Sequence, residues 1–473
     1  MEFDNSRHKH KTTRLWLAGL DSSAAGGFWP FAILNKKAGL LHTLGDWENA
    51  ELVYRTNLAW LENSGHLGVF VETQNHLAQI LTNMGDYDEA SDLYRRSENI
   101  QIEIRDMEGL GQTYDGIAEI YHNQGDYPRA MECLQKALDL AQETNNARTV
   151  SRATGNIGIV YYQMGEYDKA IECYQKTAAL SKEMGDDETM VATLGNIGLI
   201  YEEQGQLEKS MEYARQYLTM ARQLGNLQME SYATCNIGTI YFELDDYLNA
   251  QPCFERYHQI SRQMADKQGL ILASDNLGTV YLNQGNYAAC LESFKFALAL
   301  AYQLGSKEDQ GRVLGHLGNY YKQREDYAPA IDHYQQAVKI TEEIKSKYFL
   351  CYALYNLADL FYKLKRFAES GDSNSKALAL AREIENREGV FNASLLETLL
   401  AYQIKPMPGQ PDFNELENLA FGDREQAELS YQRFIFTKNE ESRQKALALL
   451  QKLLEKSKNI NYQQKIARLT KTI

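Results

Sequence analysis

The stretch GNIGIVYYQMGEYDKAIECYQ at residues 155–175 returns forty residues later as GNIGLIYEEQGQLEKSMEYAR and eighty residues later as CNIGTIYFELDDYLNAQPCFE. The forty-residue register holds without an insertion from about residue 31 to residue 390, giving nine copies. This feature constrains the fold more than any composition does. A short unit that cannot bury its apolar face alone must stack on its neighbours, so the chain reads as an array and not as three globular domains.

Each copy carries a turn that begins as Gly45-Asp46-Trp47 and recurs as Gly85-Asp86-Tyr87, Gly125-Asp126-Tyr127 and Gly165-Glu166-Tyr167. It weakens at Asp245-Asp246-Tyr247 and recovers at Gly285-Asn286-Tyr287. Glycine ends one helix in a left-handed conformation, and Asp or Asn caps the next. A looser turn, such as Gly185-Asp186 or Gly305-Ser306, lies half a period away. Each unit is therefore expected to hold two helices of roughly seventeen residues, about 25 Å long. Pro252, deep in one second helix, is expected to bend it.

Small residues mark where paired helices approach closely. They include Ala118, Gly158, Gly238, Gly278 and Gly318 in first helices, and Ala130, Ala170, Ala250 and Cys290 in second helices. Three residues after the first-helix position comes Tyr121, Tyr161, Tyr201, Tyr241, Tyr281, Tyr321 or Phe361, expected to fill the hairpin core. Small residue, aromatic at plus three, Gly at plus seven and small residue at plus twelve, as in Gly158, Tyr161, Gly165 and Ala170, resembles the tetratricopeptide (TPR) signature. The usual TPR period is about 34 residues. The longer form here resembles the repeats of Pins-type adaptors, kinesin light chains and bacterial TPR regulators, including Rap-type peptide sensors. The resemblance implies an all-α fold: a right-handed α-α superhelix, or TPR solenoid, of about nine helical hairpins plus C-terminal helices.

The expected organisation is an irregular segment at 1–27, a nine-repeat solenoid at 28–390 and an extra or capping helix at 391–404. A Pro-rich linker at 405–411 and a C-terminal helical cap or extension at 412–473 follow. The last contains ESRQKALALLQKLLEKSK, a basic amphipathic helix with Leu447, Leu449, Leu450, Leu453 and Leu454. Capping the solenoid end fits it better than binding a membrane.

A net charge of −15 argues against a nucleic-acid partner, because phosphate contacts need basic clusters. No apolar run is long enough for a membrane span, and LWLAGL ends at Asp21, too short for a signal peptide. A cytoplasmic location is expected. Cys133, Cys173 and Cys253 recur at one repeat position, as buried apolar residues do. His8 and His10 in RHKHK make no metal site. No hydrolase, zinc-protease, P-loop or dinucleotide motif occurs, so neither enzymatic activity nor a cofactor is expected.

Function is expected on the concave surface lined by first helices. Asn156, Asn196, Asn236, Asn276 and Asn356 recur two residues before the small position, with His76 and His316 at matching places. An asparagine side chain both donates and accepts, so such a row can pair with an extended peptide backbone. It can equally bond within or between repeats. The resemblance favours the first role, since repeats of kinesin light chain and Pins type carry asparagine at this point and hold peptide main chain with it. Asp115, Glu119, Glu202, Glu203, Glu243 and Asp275 are expected toward the middle of the groove. Apolar Ile159, Tyr162, Leu199, Phe242 and Leu282 lie among them, and Arg312, Lys322 and Lys363 toward one end.

The expected activity is that of a non-enzymatic interaction scaffold binding a peptide segment of a partner protein, one with basic residues beside apolar anchors. The alternative is a regulatory peptide sensor whose pitch changes on binding to control an effector. Exposed solenoid ends also allow a homodimer.

Overall fold

The computed structural model describes residues 30–43, 46–62, 64–404, 411–457 and 459–471. The segment at 1–27, with His8 and His10, lies outside these residues, as do Gly45 and positions 405–410 of the Pro-rich break. Every regular element among the described residues is a helix. The chain divides into two compact units, Met1–Asn226 and Leu227–Ile473.

The first unit holds five antiparallel hairpins. They are α1 (Pro30–Thr43) with α2 (Trp47–Leu61), α3 (Leu67–Met84) with α4 (Tyr87–Ile104), and α5 (Met107–Asn123) with α6 (Tyr127–Glu143). Then come α7 (Ala147–Gln163) with α8 (Tyr167–Met184), and α9 (Asp187–Glu203) with α10 (Leu207–Gln223). The second unit opens with α11 (Leu227–Glu243) and α12 (Tyr247–Met264), then α13 (Lys267–Asn283) and α14 (Tyr287–Leu304). It continues with α15 (Lys307–Gln323) and α16 (Tyr327–Glu343), then α17 (Lys347–Lys363) and α18 (Phe367–Glu383). Five helices close the unit: α19 (Arg387–Ile404), the short α20 (Asn414–Glu417), α21 (Asp423–Thr437), α22 (Glu440–Ser457) and α23 (Ile460–Lys471). The α12 helix runs unbroken through Pro252.

The turn chemistry read from the sequence is in place. Gly125, Gly165 and Gly285 have φ of +76°, +73° and +75°. Where glycine is missing the backbone keeps the same conformation, with φ +57° at Asp245, +63° at Glu325 and +61° at Lys365. A left-handed L-residue costs roughly 1–2 kcal/mol, so these turns are held by what packs around them. Asp126 and Asp246 cap the following helix by accepting the N–H three residues on, each at 3.2 Å. Glu166, Gln206 and Arg366 at that place make no such bond, and neither do Asp46 and Asp326, against the expectation for Asp.

The hairpin core differs from the expectation in one respect. Tyr121, Tyr161, Tyr201, Tyr241, Tyr281 and Tyr321 are only half-buried. The central aromatics are Tyr54, Tyr94, Tyr174, Phe254, Phe294 and Tyr334, each four residues after the small residue of a second helix. The expected set sits at the rim instead, several of its rings under basic side chains. Arg129 lies 4.8 Å from the Tyr121 ring, Lys169 5.2 Å from Tyr161 and Lys209 4.9 Å from Tyr201. Phe361, without a hydroxyl, is the member that is buried.

The first-helix glycines admit the central aromatics. A Cβ on Gly278 would lie 2.4 Å from the Phe294 ring, which is itself fully buried. Gly278→Ala is therefore expected to lower stability by about 1–3 kcal/mol through overpacking, read as the denaturant midpoint. Gly371→Ala, where a Cβ meets nothing within 4 Å, is the control. It should be neutral or stabilising by roughly 0.5–1 kcal/mol, because alanine favours a helix interior.

The C-terminal segment does more than cover the last hairpin. Phe413 and Leu416 pack with Phe391, Leu395 and Leu399 of α19, as a cap would. Leu450 and Leu453 of the basic amphipathic α22 are buried with Tyr431 and Phe434 of α21 and Leu469 of α23. That helix also touches α12, so its apolar face is used inside the second unit. No described helix is long and apolar enough to cross a membrane.

Candidate functional site

Within each unit, first helices touch their counterparts in the next hairpin. The series runs α1, α3, α5, α7 in the first unit and α13, α15, α17, α19 in the second. Residues of these helices that are not used in packing form a wall. In the first unit α3, α5 and α7 enclose a cleft of about 820 Å³. Its side chains come from columns spaced by the repeat: Glu72, Gln112 and Arg152; Asn75 and Asp115; His76 and Asn156; Gln79, Glu119 and Ile159.

Asp115 is the electrostatic centre of the cleft. Its Oδ2 accepts from Arg152, with Nε at 2.9 Å and a terminal nitrogen at 2.8 Å, while its Oδ1 is buried without a hydrogen-bond partner. Burial pushes the Asp115 carboxyl above its ordinary pKa, opposed by Arg152 and by Asn156 beside it. Burial also raises Glu119, opposed by His122 and His42. His76 is pushed down, toward the neutral imidazole, again chiefly by burial. Asn75 donates to Thr113 Oγ1 at 2.9 Å. Its Oδ1, together with His76 Nδ1 and His122 Nε2, is buried and without a partner.

The remaining expected residues of the first unit lie further along. Asn196 is half-buried on α9, as Asn156 is on α7. Glu203 is exposed and Glu202 half-buried. The Tyr162 hydroxyl stands 3.5 Å from Glu203 Oε1, and its ring lies 6.0 Å from that of Tyr167.

In the second unit the expected residues are engaged with one another. Asp275 is fully buried; His316 Nδ1 contacts its Oδ1 at 2.8 Å and Arg312 approaches its Oδ2 at 3.5 Å. Arg312 also pairs with Asp309. The acidic Asp275 and basic Arg312, expected in different regions of a charge gradient, thus share one ion-pair cluster. Lys322 donates to Asn356 Oδ1 at 3.2 Å and pairs with Asp359 at 3.1 Å. Asn356 is buried and its Nδ2 donates to the Tyr352 carbonyl at 2.9 Å. Asn236 and Asn276 are half-buried. Phe242 packs on Tyr247 with ring centroids 5.2 Å apart, and the carbonyl of exposed Glu243 accepts from Arg424.

That last bond belongs to a docking contact the sequence reading did not find. Arg424 of α21 donates to Asp245 Oδ2 at 2.7 Å, and the hydroxyl of Tyr462 in α23 donates to the same oxygen at 3.2 Å. Tyr247 donates to Asp245 Oδ1 at 2.7 Å, so a carboxylate only 2% exposed is fully matched. Asn459 meets Asn283 at 3.3 Å, and Asn461 meets Gln323 at 3.4 Å. The C-terminal helices therefore rest on three successive turns, and a cleft of about 580 Å³ lies between them and the first-helix face near Tyr355 and Asp359. One signal was available in the sequence: Asp245 stands where six of the nine copies have glycine, a loss it shares with Glu325 and Lys365. Glu72 was also missed, although it shares a forty-residue column with Gln112 and Arg152.

Among the described residues no group of three or more His, Cys, Asp or Glu could hold a metal ion. All six cysteines are free.

A tetratricopeptide repeat model matches residues 70–143, 149–223 and 270–343, and a second matches 232–263, together more than half the chain. A model of anaphase-promoting complex subunit 5 matches residues 316–400. No curated protein matches the chain in sequence. Among solved structures, the apo form of the quorum sensor NprR from B. thuringiensis is 14% identical, with 73% of this chain and 97% of that chain covered and a TM-score of 0.54. A Rap protein complexed with competence and sporulation factor is 15% identical over 75% of this chain and 98% of that chain, with a TM-score of 0.50. Aspartyl phosphate phosphatase F from Bacillus subtilis is 14% identical over 72% and 94%, with a TM-score of 0.47. At these identities the structural likenesses speak for the fold alone. The repeated turn, the paired small residues and the matched models agree: this chain is a tetratricopeptide repeat protein.

Proposed function

We propose that the chain is a non-enzymatic interaction scaffold that holds an extended segment of a partner protein against the first-helix face of its first unit. The observation that carries this reading is the α3–α5–α7 cleft, concave, polar and bordered by Asn156. Its volume lies in the range of sites that take a few residues or a small ligand. Asn196 extends the same helix column along α9. Each backbone hydrogen bond contributes about 1 kcal/mol net, so two asparagines would supply roughly thirtyfold in affinity. Specificity then rests on the cleft.

A second reading, the peptide sensor, draws support from the C-terminal helices. They cover part of the second unit through polar contacts, and such an element can be displaced by a ligand. The quorum sensor NprR and a Rap protein complexed with competence and sporulation factor share the fold.

The test is paired affinity capture with the wild-type chain and with Asn156→Ala/Asn196→Ala, after matching their helicity by circular dichroism. A partner retained by the first and reduced at least tenfold on the second is the expected result. Equal recovery would assign both asparagines to repeat packing and sink the groove reading. Small-angle scattering of the bound chain then separates the two functions: an unchanged profile marks a scaffold, and compaction a sensor.

A further inference from the structure

We infer that the α3–α5–α7 cleft is an anchor pocket for one donor-only cation, the guanidinium or ammonium of an arginine or lysine side chain in the bound segment. The inference deepens the peptide reading above and rests on it.

Acceptors outnumber donors in this cleft. Five carboxylates, Glu72, Asp106, Glu108, Asp115 and Glu119, border it, and among the described residues Arg152 is the one permanently charged cation in its lining. Arg152 is already committed to Asp115 Oδ2. Among the described residues neither Glu72 nor Glu119 has an ion pair, and two of the buried unpartnered atoms, Asn75 Oδ1 and Asp115 Oδ1, are oxygens that only accept. A buried acceptor without a donor costs about 1–3 kcal/mol, and the cleft places two beside one space. Guanidinium brings five donors and no acceptor, and ammonium brings three.

The apolar part of the lining fits the same guest. Ile159, Val160, Leu134 and Val71 supply a hydrocarbon wall. Arginine and lysine lay an aliphatic stem along such a surface and carry the charge at its end. A bare metal ion would use none of that wall, and an acidic guest would meet five carboxylates.

The experiment titrates the full chain with fluorescent heptapeptide pools whose central residue is fixed as Arg, Lys, citrulline or Glu, and separately with spermidine as a free cation. The Arg and Lys pools are expected to bind at least tenfold tighter than the citrulline pool, which keeps the shape of arginine without its charge. Glu72→Gln and Glu119→Gln should each cut that preference about tenfold, and Glu119→Lys should move it toward the Glu pool. Glu119→Gln should fold at least as stably as wild type, because burial works against its charge. Equal binding of Arg and citrulline pools would overturn the cation pocket while leaving peptide binding intact. Spermidine binding that Glu119→Gln weakens, with no pool bound, would instead make this a site for a free polyamine and overturn both readings. Binding of neither probe would also overturn both.

Discussion

Replacing Arg424 with methionine is expected to raise the population of chains with undocked C-terminal helices about a hundredfold. Asp245 is 2% exposed, and among the described residues Arg424 is its one cationic partner, at 2.7 Å. Removing one member of a buried ion pair costs about 3–5 kcal/mol, because the other charge is left uncompensated. The lower end applies here, since Arg424 itself is about a third exposed and Tyr247 and Tyr462 still donate to Asp245. About 3 kcal/mol corresponds to two decades in population. The carboxylate recovers water only if α21 and α23 leave the turn, so the loss appears as undocking. Hydrogen exchange of α21–α23 amides reads it directly. In an Asp245→Gly background, where no carboxylate needs a partner and the turn regains glycine, Arg424→Met should have little further effect. An equal effect in both backgrounds would mean that Arg424 acts elsewhere.

The second large effect is expected at Arg312. Its guanidinium, 14% exposed, faces Asp275 and Asp309, which are 1% and 6% exposed. Arg312→Met leaves two buried carboxylates with His316, Gln268 and Ser306 as their remaining partners. A loss of about 3–5 kcal/mol is expected at neutral pH, read as denaturant unfolding of the second unit. The pH dependence follows from Asp275. Burial alone would raise its carboxyl, but His316 and Arg312 outweigh burial and hold it below the ordinary value. A carboxyl depressed in the fold stabilises above its unfolded pKa and loses that contribution as pH falls through the folded value. The gap between wild type and Arg312→Met should therefore narrow below about pH 4. A gap that stays constant into acid would assign the loss to packing of the arginine stem.

These two sites show what was legible in the sequence and what was not. The forty-residue period, the left-handed turn and the opposed small residues are local and repeated, and among the described residues each is found where the pattern put it. Which aromatic enters the core was harder to read. Tyr161 and Tyr174 both recur with the period, and only the packed hairpin shows that the Tyr174 ring meets Gly158 while Tyr161 lies under Lys169. Long-range pairing left almost no trace. Asp245 and Arg424 are 179 residues apart, and no periodicity connects them; the lost turn glycine was the single hint. The candidate site falls between these cases. Glu119 and Asn156 were found from their repeat columns, but only the stacking of α3, α5 and α7 shows that Glu72, Asn75 and His76 share one cleft with them. Asp275 and Arg312 occupy groove-facing columns by sequence, yet in the fold they neutralise each other.

A partner segment is proposed to lie along the first-helix face of the first unit. A photo-crosslinking residue in place of Ile159, 38% exposed beside the cleft, tests it most directly. The matched probe replaces Glu132, exposed on the second helix α6. Both are irradiated in lysate of the source cell, and the adducts are sequenced by mass spectrometry. One peptide segment is expected to crosslink at position 159, carrying an arginine or lysine near the attachment point, and to be absent at position 132. Crosslinks confined to position 132 would contradict it and move the binding surface to the opposite face of the hairpins.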